Sequence, residues 1–258
     1  LSRQPITKLD AASLANANRA DVIVTLTTIP SRFALMEPTI KSLLRQKLAP
    51  RQIIINVPDY SIREKTAYVV PAFLKQLKSV GINPCRDQGP ATKFLPVVNT
   101  AEAGQMIIVV DDDRIYPDTL VSELVAAASA NPEAAFCMSG WQAPADLIDR
   151  PTTIWANFWL TPPTQLRGRR LAAMQPIDVL MGYAGYIIRP RHLDLAALND
   201  FSMAPSEAFY VDDVWISAHC RVPKFALPTR RFNYQSKLRK RHYDLTSLAS
   251  INRGPGGN

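Results

Sequence analysis

Five apolar residues, Met106 to Val110, most of them β-branched, run without a polar break into Asp111-Asp112-Asp113. Such a run predicts a strand buried on both faces, as in a parallel sheet. A similar density of Val, Ile and Thr predicts a strand over residues 22–29, which Pro30-Ser31-Arg32 ends. Ile40, Leu43 and Leu44 recur at helical spacing, so 37–46 reads as a helix with Pro38 in its first turn. A second strand is predicted over 52–57, ending at Pro58-Asp59-Tyr60. Residues 64–80 mix apolar and basic positions at helical period, interrupted near Pro71, and predict a second helix. The order strand, helix, strand, helix, strand predicts an α/β fold with a mainly parallel sheet flanked by helices.

Past the aspartates, the pattern predicts a helix over 118–130 and a strand over 134–139. It then loses its period. Trp141, Trp155, Phe158, Trp159 and Pro162-Pro163 form an aromatic, proline-rich stretch, followed by Arg167, Arg169 and Arg170. This reads as a long connection with a binding role, and aromatic faces suit stacking on a sugar ring. Residues 178–189 combine small residues and tyrosines with a strand ending at Pro190. Gly182 and Gly185 there permit close backbone approach or a tight turn. In 209–217, Asp212 and Asp213 stand at a helix start, where acids also favour the helix dipole. Residues 1–20 read as a helical or loose leader and 246–258 as a tail.

With 258 residues, 47% of them hydrophobic, the chain has ample material for a core. Its +8 formal charge implies attraction to polyanions, whether nucleic acid, an anionic membrane surface or a phosphate-bearing substrate, and Arg230, Arg231, Lys237, Arg239, Lys240 and Arg241 concentrate that charge near the C-terminus. Cys85, Cys137 and Cys220 have no metal-ligand spacing and read as free thiols of a reducing compartment, so a cytoplasmic location is expected. No stretch reaches the ~20 apolar residues of a membrane span, and no signal peptide is visible.

The chemistry begins at the strand end. Alternation along an extended segment predicts Asp111 and Asp113 on one face and Asp112 on the other, a donor set for a hard divalent cation that also meets phosphate. Ligands of open α/β sheets bind at the carboxyl ends of the strands. Residues 89–98 predict a turn opening a short helix, with Thr92 and Lys93 at an end where an anion can bind.

The strand into Thr-Ile-Pro-Ser-Arg, the strand into Asp111-Asp112-Asp113, the Gly-Tyr-Ala-Gly segment and Val-Asp-Asp-Val-Trp together resemble GT-A-fold glycosyltransferases, bacterial family-2-like and more loosely exostosin-like, over residues 21–245. The resemblance implies one Rossmann-like domain, with a nucleotide-sugar-binding half over 21–140 and an acceptor-binding extension over 141–245. It implies Mn²⁺ or Mg²⁺ held by Asp111 and Asp113, with His242 completing the shell, and a nucleoside-diphosphate sugar as donor. Thr27, Pro30, Arg32 and Asp59 would surround the nucleoside, Asp112 the ribose, and Lys93 the diphosphate or base. Asp213, with Asp212 second, would be the catalytic base of an inverting enzyme, whereas in a retaining one the pair would orient the sugar or stabilise an ion-pair intermediate. A saccharide or lipid-linked glycan is the implied acceptor, with peripheral contact at the inner membrane face and no nucleic acid partner. Two departures stand out: Val-Pro-Asp-Tyr replaces an Asp-Asp-Gly-Ser-like turn, and the acidic pair is Asp-Asp instead of Glu-Asp.

Two other classes share some of these features. A metal-dependent nucleotidyltransferase would carry a glycine-rich loop after the first strand, where Thr-Thr-Ile-Pro-Ser-Arg stands without glycine. A noncatalytic polyanion- or glycan-binding module would need the basic tail but not the aspartates, and its binding would weaken steeply with salt.

Overall fold

The computed structural model describes residues 4–143, 165–202, 204, 210–237 and 239–246. Eight strands form the central sheet: β1 (Arg19–Thr27), β2 (Ala49–Pro58), β3 (Val80–Cys85), β4 (Met106–Val109), β5 (Ala135–Cys137), β6 (Gln175–Pro176), β7 (Tyr186–Ile188) and β8 (Lys224–Ala226). Their spatial order is β6-β8-β5-β7-β4-β1-β2-β3. β1 is parallel to β2 and β4, β2 to β3, and β5 to β8. β7 runs antiparallel to β4 and β5, and β6 to β8, so only β6 and β7 oppose the rest. The mainly parallel α/β expectation holds.

The β-branched runs explain the centre. Val22, Val24 and Leu26 of β1, with Ile108 and Val110 at β4, enter one core, while Ile23, Ile107 and Val109 enter another. Each strand is therefore covered on both faces, as its unbroken apolar run requires. Helices α1 (Ile6–Ala15), α2 (Glu37–Leu44) and α3 (Leu120–Ala130) cover the first core through Leu9, Ile40, Leu43, Leu120 and Leu124. Each such side chain contributes about 1.5–3 kcal/mol on burial. The segment read as a leader is thus packed onto the sheet, and Asp10 of α1 accepts hydrogen bonds from the Lys78 and Ser79 amides at 2.9 and 3.0 Å.

The helix expected over 64–80 is absent. Tyr60–Ser61 pairs with Thr66–Ala67 in a short hairpin, a 3-10 turn covers Leu74–Gln76, and β3 follows. Val69 and Val70 are β-branched, and a residue before proline is pushed out of the helical region. Gly81 and Pro84 hid β3; proline is tolerated there because β3 is an edge strand. The strand expected over 134–139 breaks at Met138, and Ser139–Trp141 joins a second, three-stranded sheet. Trp155, Phe158, Trp159, Pro162 and Pro163 lie outside the described residues. β7, from the second half of the chain, lies between β4 and β5, so both halves complete one sheet. No helix among the described residues is long and apolar enough to cross a membrane, and the three cysteines are free.

Candidate active site

The register of β1 on β4 sets Thr25 beside Val109, and Val110 donates its amide to the Thr25 carbonyl at 3.1 Å. The segments leaving the two strands therefore emerge side by side. Thr28 Oγ1 donates to Asp112 Oδ2 at 2.5 Å, and the Arg32 guanidinium lies 3.2 Å from Asp112 Oδ1. Arg32 is further fixed by donating to Thr246 Oγ1 at 2.7 Å and to the Tyr243 carbonyl at 3.1 Å, at the C-terminal helix α5 (Lys240–Leu245). Alternation does not carry through the aspartates as expected. The strand ends at Val109 and the chain turns at 112–113, so all three carboxylates line the same cavity. Asp113 sits 3.2 Å from Arg114 and accepts from Gln235 at 2.8 Å.

Lys93 is the cationic centre. The turn over Ala91–Lys93 is tied to the sheet through its carbonyl, which accepts from Thr25 Oγ1 at 2.7 Å and from Asn56 Nδ2 at 3.3 Å. Asn83 of β3 in turn donates to Asn56 Oδ1 at 2.8 Å, so a buried amide chain crosses three strands to fix this lysine. Its Nζ lies 3.0 Å from Asp111, 2.8 Å from Asp212 and 3.1 Å from Asp213. The last two open helix α4 (Asp212–Ala218). The Gly182 amide donates to Asp213 Oδ2 at 2.9 Å. A Cβ at position 182 would fall 2.4 Å from Lys93 Nζ, so this glycine serves close approach, while Gly185, at φ +88, serves the turn.

Burial alone would lower the Lys93 pKa, but the three carboxylates hold it well above its ordinary value. Burial pushes Asp213 up to about 7, with Lys93 opposing and Asp212 and Asp111 adding repulsion. Burial, reinforced by the charge of Asp112, pushes Asp113 up to about 6. Asp212 Oδ2, an ion-pair partner of Lys93, is buried without a hydrogen bond of acceptable geometry.

These groups surround a cavity of about 270 Å³ at the carboxyl ends of the parallel strands. Of the residues expected to act, Thr27, Arg32, Lys93, Asp111, Asp112, Asp113, Asp212 and Asp213 line it. Pro30 does not; it opens the helical turn that presents Arg32. Asp59 is exposed outside the cavity. His242 does not line it either, although its Nε2 is buried without a partner. Asp111, Asp113 and His242 are not gathered into a cage: among the described residues no group of three His, Cys, Asp or Glu side chains is arranged to hold a metal, and the carboxylates of Asp111, Asp212 and Asp213 converge on the Lys93 ammonium instead. The reason is local, because Asp111 is engaged by Lys93, and Asp113 by Arg114 and Gln235.

The chemistry of the donor set, hard carboxylate oxygens, is nevertheless of the type a divalent cation takes. Six carboxylates, Asp87, Asp111, Asp112, Asp113, Asp212 and Asp213, line the cavity against three cations, Arg32, Arg63 and Lys93. The cavity wall therefore carries more acids than bases, and its hard oxygens are of the kind Mn²⁺ or Mg²⁺ takes. Sequence reasoning missed Asp87, Arg63, Tyr68 and Tyr210, which also line the cavity. Asp87 accepts from the Ile62 and Gly89 amides at 2.7 and 2.8 Å, which docks the hairpin on the cavity wall. The signal was the Asp87-Gln88-Gly89-Pro90 turn, legible only once the preceding residues are read as a strand.

No family model matches the chain, and no curated protein matches it. Among solved structures it is similar to S. aureus TarS 1–349, at 13% identity and a TM-score of 0.51, covering 90% of this chain and 65% of that one. The same protein in complex with UDP gives 14% identity and a TM-score of 0.50 over the same shares. A structure of GalNAc-T7 with UDP, GalNAc and Mn²⁺ follows at 12% identity and 0.49, covering 82% of this chain and 43% of that one. The chain thus spans 65% of the length of the TarS chain it matches. The likeness to TarS defines the class of architecture: the chain has a GT-A-like mixed α/β fold.

Proposed function

We propose that this chain transfers a sugar from a nucleoside-diphosphate sugar to a hydroxyl of a saccharide or lipid-linked glycan, with Mn²⁺ or Mg²⁺ in the cavity. The observation that carries this reading is the meeting of the strand-end aspartates, Arg32, Lys93 and the acidic pair of α4 around one cavity. Asp111 and Asp113 are the residues to hold the cation, which when bound supplies positive charge to the leaving diphosphate.

The protein's own groups do the rest. Arg32, braced by Asp112, Thr246 and Tyr243, keeps its guanidinium at the donor wall, where it stabilises charge on phosphate oxygens. Thr27 lines the nucleoside side, and Asp87, with Tyr68 beside it, takes the place expected for Asp59. The acceptor hydroxyl is a poor nucleophile at neutral pH and must lose its proton as it attacks. Asp213, oriented by the Gly182 amide and raised to near-neutral proton affinity, is placed to take it, a contribution of ~10²-fold or more. Asp212 buries its carboxylate against Lys93 and sets the orientation of the pair.

UDP, held by the TarS structure, is the first donor nucleotide to try. The exposed cations Arg230, Arg231, Lys237, Lys240 and Arg241, of which Arg231 and Lys240 also pair with Asp118 and Asp244, suit an acceptor at an anionic surface and, with it, work in the cytoplasm at the inner membrane face. Protein incubated with nucleotide sugars, Mn²⁺ and glycan acceptors is expected to release nucleoside diphosphate. Asp111→Ala is expected to abolish turnover while leaving thermal unfolding intact; unchanged turnover overturns the site. Failure to sediment with anionic vesicles overturns the membrane contact alone.

A further inference from the structure

The geometry points to Lys93 as a resident cation that occupies Asp111 until the donor arrives, and releases it when a diphosphate draws the ammonium away. The inference rests on the transferase reading above and adds an internal control to it: divalent cation and nucleoside diphosphate each bind weakly alone and strongly together.

Three observations carry it. First, Lys93 is the one lysine among the buried polar and charged residues of the described chain, and its ammonium touches Asp111, a proposed cation ligand, at 3.0 Å. An ammonium and a divalent ion on a single carboxylate repel each other, so each weakens the hold of the other. Second, the lysine is anchored at its carbonyl by Thr25 and Asn56, whereas its head group lines the cavity. The anchor stays and the ammonium is within reach of an entering phosphate. Third, the ammonium also bridges Asp212 and Asp213, and Gly182 leaves just the room it needs. Its departure toward phosphate therefore strips Asp213 of its counter-ion only when donor is present. A site built this way leaves the proposed base occupied, and the cation site blocked, in the absence of substrate.

Lys93 acts here as a positioning residue for both the cation and Asp213, and the readout is binding and not turnover. Mn²⁺ alone is titrated calorimetrically into the wild-type protein, Lys93→Met and Arg63→Met, then again with UDP, GDP, CDP or ADP present. Lys93→Met is expected to bind Mn²⁺ alone about tenfold more tightly than wild type and to lose most of the tightening that nucleotide confers, since coupling is reciprocal. Arg63→Met removes the same charge from the same wall, but its charge partners are Glu64 and Asp112, not Asp111, so a change under about threefold is expected. Equal or weaker Mn²⁺ binding by Lys93→Met, or an equal gain in Arg63→Met, overturns the inference while leaving the transferase reading standing. No Mn²⁺ binding by any protein with any nucleotide overturns both.

A wild-type measurement guards against a variant that fails to fold. The protected Lys93 ammonium signal in nitrogen-15 NMR is expected to persist with Mg²⁺ alone and to move with Mg²⁺ plus nucleoside diphosphate. A signal unmoved by the pair overturns the exchange.

Discussion

Asparagine at position 213 keeps the shape of the side chain, removes its charge and stands in for the protonated acid. The wild-type carboxyl is raised by burial, and by repulsion from Asp212 and Asp111 against the pull of Lys93, from 3.8 to about 7. A carboxyl that binds its proton more tightly folded than unfolded contributes stability that is complete at low pH and is lost as pH rises from about 4 through about 7. Three pKa units correspond to about 4 kcal/mol, and because Asp213 interacts strongly with the charges around it, about 2 kcal/mol is expected to belong to this side chain. Asp213→Asn removes that proton linkage. Its stability relative to wild type is therefore expected to rise by about 2 kcal/mol between about pH 5 and about pH 8. Urea unfolding followed by circular dichroism, with chelator and at both pH values, measures the difference of differences. The variant is also expected to lose at least ~10²-fold in turnover, stability and activity moving in opposite directions. A relative stability that does not change with pH, or that falls as pH rises, refutes the electrostatic account of the acidic pair.

Gly182→Ala forces a methyl group into the space of the Lys93 ammonium; about 1–3 kcal/mol of destabilisation and loss of turnover are expected, read by thermal unfolding and nucleoside diphosphate release. Asn56→Ala breaks the amide chain that holds the Lys93 carbonyl and leaves buried partners unmade, so a loss of about 2 kcal/mol is expected in denaturant titration. Asp87→Ala undocks the hairpin from the cavity wall, and amide exchange over residues 60–68 is expected to quicken while β1 and β4 stay protected. Exchange confined to other segments sinks that assignment.

The parts of the site legible in the sequence were those whose local pattern coincides with their tertiary role. The run 106–110 announced both burial and strand end, and the helix bearing Asp212 and Asp213 followed from its position before Val214 and Trp215. What stayed hidden depended on register or packing. β3 is an edge strand broken by Gly81 and Pro84, so its propensity misleads, and with it went Asp87. Asp59 and Asp87 both follow a strand, yet only the three-dimensional turn decides which one faces the cavity. Nothing in the order of residues shows that Lys93 joins aspartates 18 and 120 positions away. That convergence belongs to sheet topology.

β7 carries a lesson for anyone wishing to rebuild this protein. Because Tyr186–Ile188 is clamped between β4 and β5, the later half of the chain finishes the earlier half's framework instead of sitting on it as an attachable module. Cutting after residue 140 would leave β4 with a raw edge, an invitation to pair with strangers. For the proposed transferase, new acceptor preferences would therefore come from exchanging side chains and loops around the rim, since grafting a foreign half would unseat β4, the strand that leads into Asp111, Asp112 and Asp113.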